Sequence, residues 1–394
     1  MTWVYSPEEC KQLGADLVHC VSSDILLGKL DYPYLKYQFT LADIQKKFEA
    51  LKRSVFHYRN DFTLPIDEYP IRTKTPFLHT LLPQQPIYLV SHPKMYGEFN
   101  SISDFFQEEA RIQAKRMDTP HTPKEYWMNR DNHPRIIQWI MKYVGQCHHK
   151  AFRSAMYRLC GGECINFKVT IVVALFKAFG SRRILDFSAG WGDRLVGALA
   201  CEVEHYVGVD PNPRVHAGYK AIVDAFANST TRVSLVKNGF LETHFDDNDT
   251  FDMIFTSPPF YELETYNSKD DKQSTKQFPK LEDWTRDFLC ESLKKAWQRL
   301  EKNKYMVIAI NDYSTKDKST GVDKWTCFTE VMILYVQAKL PDAHFLGVVG
   351  SAYPQLDGSK LVGFRPMWVF QKQAHADKAR WANSLLRQAY PFLV

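Results

Sequence analysis

The rhythm of apolar and polar positions changes about 165 residues into the chain. Upstream the pattern is mixed but mainly helical. Ser6-Pro7-Glu8-Glu9 and Thr122-Pro123-Lys124-Glu125 each put an N-cap residue before a proline at the first helical position, and Thr122 with Glu125 has capping-box spacing. Apolar residues recur at helical intervals over 102–116 and over 135–145, the latter through Ile136, Ile137, Trp139, Ile140 and Tyr143. Pro83 and Pro86 punctuate the approach to Ile87-Tyr88-Leu89-Val90, an apolar run that predicts a strand.

Downstream, short apolar runs alternate with helical stretches. Ile184-Leu185-Asp186-Phe187 leads into a glycine-rich turn and a helical run to Cys201. Tyr206-Val207-Gly208-Val209-Asp210 repeats the plan of strand then acid, before a helix around 214–227 and a strand at 232–236. Phe251 to Phe255 predicts a strand that enters Thr256-Ser257-Pro258-Pro259-Phe260. Residues 282–301 predict one amphipathic helix, with Trp284, Phe288, Leu289, Leu293, Ala296, Trp297 and Leu300 on a common side. A strand at 305–310, a helix near 324–339 and strands at 344–349 and 365–370 complete the series.

Such alternation implies an α/β fold with a doubly wound, mostly parallel seven-stranded sheet and a ligand at the carboxyl ends of its strands. The chain divides into a mixed, mainly helical region over 1–155, an α/β domain over 156–375 and a helical tail over 376–394. No repeat or low-complexity linker separates the first two, so they are expected to pack together.

Composition narrows the class only modestly. At 45% hydrophobic and 24% charged residues the chain reads as an ordinary globular protein, and its net charge of +5 permits a polyanionic partner without demanding one. The N-terminus lacks a basic segment followed by an apolar run, and no stretch approaches the ~18 apolar residues of a membrane span. The expectation is an intracellular protein, cytoplasmic or nuclear, with no membrane partner. The 8 cysteines are scattered, as reduced thiols would be. Cys147-His148-His149 with Cys160 and Cys164 lacks paired Cys-x-x-Cys knuckles and reads as thiols rather than a metal centre, so no metal ligand is assigned.

Two segments carry candidate chemistry. In Asp186-Phe187-Ser188-Ala189-Gly190-Trp191-Gly192-Asp193-Arg194 a strand ends in an acid and two glycines let backbone approach a ligand before a helix begins. A second acid, Asp210, ends the next strand, where the hydroxyls of an adenosine ribose are expected. A dinucleotide site is the competing reading, but Leu195 stands where the third glycine of that fingerprint belongs. The second segment is Ser257-Pro258-Pro259-Phe260. A Pro-Pro pair cannot continue a core strand, so beyond a rigid strand exit it requires another explanation.

Together these residues resemble a known family. The segment from Asp186 to Arg194 looks like motif I of class I S-adenosylmethionine-dependent methyltransferases, and Asp210-Pro211-Asn212 like the motif II acid with its neighbours. Asn166-Phe167 before a helix is similar to the segment that covers the methionine end of the cofactor. Asn238-Gly239 falls where motif III meets the adenine ring, although the family usually has an acid there. The resemblance implies a Rossmann-like fold, S-adenosyl-L-methionine as cofactor, and contacts from Asn166, Phe167, Asp186, Ser188, Ala189, Gly190, Gly192, Arg194, Asp210, Pro211, Asn212, Asn238 and Gly239.

Ser257 to Phe260 resembles motif IV of the amino-methyltransferases that act on adenine N6 or cytosine N4, as in bacterial, phage and viral DNA modification methylases. The chemistry accounts for these residue types. An aromatic amine is a poor nucleophile because its lone pair is delocalised into the ring. Acceptors at Ser257 and at the Pro258 carbonyl draw the amino group toward tetrahedral geometry, and prolines offer no competing N–H. Phe260 is placed to stack on a base drawn out of its helix, with Tyr261 and Trp284 as further substrate contacts.

The polar stretch from Thr265 to Leu281, with Lys269, Lys272, Lys276 and Lys280, is expected as a mobile lid. Target recognition is then left to the N-terminal region, the 261–281 loop, or the late strands with Arg365 and Trp368. The partner implied is a nucleic acid, DNA before RNA. An RNA adenosine N6-methyltransferase, an enzyme for guanine N2 or a protein glutamine, and a non-catalytic nucleic-acid-binding scaffold stay open.

Overall fold

The computed structural model describes residues 3–54, 71–72, 87–89, 99–316, 320–321, 323–354 and 362–373. The expected tail over 376–394 and the Pro83–Pro86 segment lie outside them. The central sheet contains β1 Ile71–Arg72, β2 Ile87–Leu89, β3 Arg183–Asp186, β4 His205–Val209, β5 Arg232–Val236, β6 Phe251–Thr256, β7 Leu300–Ile308, β8 Ala343–Pro354 and β9 Val362–Lys372. Its order is β2-β8-β9-β7-β6-β3-β4-β5, with β1 paired to β9.

Strands β3 to β9 are the seven expected, and β1 and β2 are short additions from the N-terminal region. Neighbours among β3 to β7 run parallel, while β9 lies antiparallel between β7 and β8. This is a doubly wound, Rossmann-like arrangement, and its order reverses between β3 and β6. A crevice forms at such a switch point.

Period-two alternation assigns the sheet's side chains to two cores. Leu185, Val207, Ile254, Ile308 and Phe370 belong to one cluster, and Ile184, Tyr206, Met253, Val307 and Val369 to the other. Helices Leu41–Arg53 and Ser101–Arg111 from the first region join that second cluster through Ile44, Phe48, Leu51 and Ile102. Phe48 stacks on Phe226 with ring centroids 4.2 Å apart. A third cluster, including Val21, Ile25, Trp127, Ile137 and Phe152, is built from the N-terminal region. Capping boxes start the helices at Ser6, Thr40 and Thr122.

Three elements differ from expectation. The helix predicted over 102–116 ends at Arg111, and Lys115–Arg116 is a short strand paired with Glu264–Thr265. The helix over 282–301 contains a π segment, Trp284–Cys290, and stops at Gln298 because Leu300 already belongs to β7. The helix near 324–339 starts only at Thr329; Asp323–Thr326 is instead a strand paired with Tyr313–Lys316. Asp312 is the reason, since its carboxylate accepts from the Phe328 and Thr329 amides and caps the helix there. Among the described residues no helix is long and apolar enough to cross a membrane.

Candidate active site at the strand carboxyl ends

A cavity of about 620 Å³ opens at the carboxyl ends of β3, β4, β6 and β7, within the usual range for small-molecule and cofactor sites. Its walls bring together Asn166, Phe167, Ser188, Gly190, Arg194, Asp210, Pro211, Asn212, Gly239, Ser257, Pro259 and Phe260.

At one end Asp210 organises the glycine turn. Its Oδ2 accepts from the Gly190 amide at 2.8 Å and its Oδ1 from the Asn212 amide at 2.9 Å. Burial pushes its carboxyl up to about 6, opposed by those amides. Each carboxylate oxygen keeps a lone pair beyond its backbone donor, so a ligand diol has acceptors to meet. Gly192 holds the left-handed conformation at φ 77° that starts the helix Asp193–Ala200, and a Cβ there would lie 3.0 Å from Ile222 Cδ1.

Asp186 does not line the cavity. It is fully buried beneath it, accepting from Arg194 Nε at 2.6 Å, the Tyr206 hydroxyl at 2.7 Å and the Thr256 hydroxyl at 2.8 Å. The expected cofactor contact is therefore a hub that ties β3, β4 and β6 together. Ala189 and Gly192 likewise shape the turn from beneath, the Ala189 amide donating to the Val209 carbonyl at 3.0 Å.

The 164–168 segment is held by an acid the sequence reading did not single out. Asp193 accepts from the Phe167 amide at 3.1 Å, from Asn166 Nδ2 at 3.4 Å and from the Ser103 hydroxyl. Burial pushes its carboxyl up to about 7. Arg111 braces the same segment through Glu163 and, at 3.2 Å, through the Cys164 carbonyl. An acid as the first residue of a helix was the available signal for Asp193.

Asn238 is off the wall, its Oδ1 accepting from Lys272 Nζ at 2.8 Å. The wall carries Gly239, Phe240, Leu241 and Glu242, with Phe240 stacked on Phe187 at 4.8 Å. Glu242 is the acid on this part of the wall.

At the other end Ser257 leaves β6 with its hydroxyl donating to the Ala309 carbonyl at 2.9 Å. That bond uses the hydroxyl proton and leaves Oγ an acceptor toward the cavity. Phe260 lies beside it, edge-on to Phe328 at 6.4 Å between centroids. Pro258 and Tyr261 are not on the wall. Tyr261 has φ 52°, and its hydroxyl donates to the Pro279 carbonyl.

Trp284 corrects the expectation of a substrate contact: it is fully buried, and its Nε1 donates to Ser274 Oγ at 3.0 Å. Trp368 is buried too, donating to the Ile310 carbonyl at 2.8 Å, whereas Arg365 does reach the wall. The segment expected as a lid is folded against the site, with Asn267, Gln273 and Ser274 buried. Asn311, Asp312, Tyr313 and Ser314 complete the wall after β7. The rule that ligands sit beyond strand carboxyl ends could have found them. Cys147, Cys160 and Cys164 are buried away from this wall, and among the described residues no His, Cys, Asp or Glu cluster could hold a metal.

No family model matches the sequence, and no curated protein matches it. Among solved structures, TehB from Haemophilus influenzae is similar at 12% identity over 57% of this chain and 68% of that chain, with a TM-score of 0.34. TrmN from Thermus thermophilus shares 14% identity over 52% of this chain and 49% of its own, with a TM-score of 0.33. An rRNA methylase from Streptococcus thermophilus shares 11% over 54% of this chain and 99% of its own, with a TM-score of 0.32. At these values they bear on nothing this chain binds or acts on; the strand order of the sheet carries the fold.

Proposed function

We propose that this chain is an S-adenosylmethionine-dependent methyltransferase acting on an exocyclic amino nitrogen of a nucleobase, adenine N6 or cytosine N4, with DNA as the first substrate to test. The observation that carries the reading is Ser257 at the end of β6, its hydroxyl proton engaged by Ala309.

The cavity suits the cofactor in its donor set. Asp210 offers acceptors for the ribose diol, and Phe187, Phe240 and Leu241 offer an apolar wall for adenine. Asn166 and Lys168, on the same wall, are assigned to the amino-acid portion. When bound, the cofactor supplies an electrophilic methyl group. The chain's own residues then do three things. Ser257 Oγ accepts from the amino group and localises its lone pair. Phe260 holds the base plane. The walls exclude water, so positioning rather than a strong base carries the rate.

Incubation with labelled S-adenosylmethionine and matched single-stranded DNA, duplex DNA and RNA tests the reading. Label in a polymer is the expected result, and the strand that carries it decides between DNA and RNA. Cofactor binding without label in any of the three contradicts it.

A further inference from the structure

Strand β7 does not lead directly into the helix Thr329–Lys339. The chain first makes an excursion in which Tyr313–Lys316 and Asp323–Thr326 pair antiparallel as a two-stranded ribbon separate from the central sheet. One side chain closes its base. Asp312, just before the ribbon, accepts from the backbone amides of Phe328 and Thr329 just after it, both at 2.9 Å, and from the Thr329 hydroxyl at 2.8 Å. The ribbon therefore leaves and re-enters the fold at one fixed point. That point is the cavity wall, where Asn311, Asp312, Tyr313 and Ser314 lie.

The register puts Trp325 opposite Ser314. Directly opposed residues project from the same face of a ribbon, so Trp325 neighbours Ser314, a residue of the cavity wall. Trp325 is 36% exposed, whereas Trp127, Trp191, Trp284, Trp297 and Trp368 are buried. Its neighbour across the ribbon is a serine, so the indole does not form the aromatic pair by which such residues stabilise hairpins. The flanking positions Thr315, Lys316, Asp323 and Lys324 are polar. A large planar ring with about a third of its surface open to solvent is thus held across the ribbon from a residue of the cavity wall, on a stem with a rigid base.

We infer that this ribbon is a second nucleic-acid contact, in which Trp325 stacks on the base adjacent to the one held at Ser257 and Phe260. The inference rests on the reading of the cavity given above. A base drawn into the cavity leaves its neighbour unstacked, and a partly exposed aromatic beside the wall replaces the lost stacking without reading sequence. The occupant is a single strand running out of the cavity, because only an unpaired base presents its π-face to the ring.

The test uses the full chain with Trp325→Ala and Trp325→Phe. Affinity for a mixed-sequence single-stranded oligonucleotide, as DNA and as RNA, is read by fluorescence anisotropy, and S-adenosylmethionine affinity by calorimetry. Trp325→Ala is expected to weaken oligonucleotide binding about tenfold, Trp325→Phe to recover most of it, and neither to change cofactor affinity. Wild-type binding of oligonucleotide with no loss in Trp325→Ala overturns the ribbon's role and leaves the reading of the cavity intact. Absence of oligonucleotide binding in the wild type overturns both. Concentration-dependent self-association lost in Trp325→Ala, with oligonucleotide affinity unchanged, makes the ribbon an interface between copies of the chain and overturns the proposal.

Discussion

Ser257 and Ala309 are joined by a hydrogen bond of 2.9 Å across the carboxyl ends of β6 and β7, with the serine hydroxyl as donor. The bond continues the ladder of the sheet, since the Ala309 amide donates to the Thr256 carbonyl, also at 2.9 Å. A side chain at a strand exit is thereby given a fixed direction and a fixed polarity. An acceptor with those properties is what an amino group needs if its lone pair is to be drawn out of conjugation.

Replacing that acceptor should affect turnover and little else. Ser257→Ala is expected to lower the single-turnover rate about 10- to 100-fold, the range of one hydrogen bond made more strongly in the transition state. Cofactor affinity should stay within about twofold, because Ser257 does not take part in the Asp210 end of the site. Equal losses in rate and cofactor affinity would remove the assigned role.

Asp210 gives the cofactor end a pH signature. Its carboxyl is raised to about 6 by burial, so it loses its charge as pH falls through that value. A neutral acid is a poorer acceptor for a diol, and S-adenosylmethionine affinity should decline between pH 7 and pH 5. Asp210→Asn should bind more weakly at pH 7 and show no such decline. Calorimetric titration of both proteins across this window checks the point; parallel pH profiles would place the ribose elsewhere.

Asp193 acts on stability. Its folded value, about 7, lies well above the ordinary carboxylate value, so the folded chain takes up this proton first as pH falls. The group's contribution therefore grows from pH 8 toward pH 4 and is lost as pH rises through 7. Urea unfolding of Asp193→Asn at pH 8 and pH 6 should show a flatter dependence than the wild type. The same slope in both would mean that this acid is not held as the structure has it.

Trp284 is the position where stability and substrate binding part company. As a fully buried ring bonded to Ser274, it should cost about 1–3 kcal/mol on replacement by phenylalanine, visible as a lower Tm. The KM for nucleic acid should be unchanged within about twofold. A raised KM at unchanged stability would restore the role that its sequence context implies.

The strands of the α/β domain were legible because buried strands leave short apolar runs and their acids and glycines fall at the ends. The same logic made Asp210, Gly190 and Ser257 readable as cavity residues. Asp186 was misjudged because a strand-terminal acid looks the same whether it faces a ligand or an arginine. Arg194 sits 8 residues further along and turns the acid inward. The ribbon at 313–326 was invisible for another reason: the cap that delays the following helix is Asp312, 17 residues before Thr329, and no local window spans both. Trp284 was placed on the right helical face, but amphipathicity does not say whether that face meets core or cavity.

The identity of the methylated atom decides the function. Complete digestion of labelled nucleic acid after transfer from S-adenosylmethionine, with chromatographic identification of the labelled nucleoside, reads it directly. N6-methyladenine or N4-methylcytosine is the predicted product. Label at a ring nitrogen, a ring carbon or a ribose oxygen would contradict the account, because none of those atoms needs the acceptor that Ser257 provides.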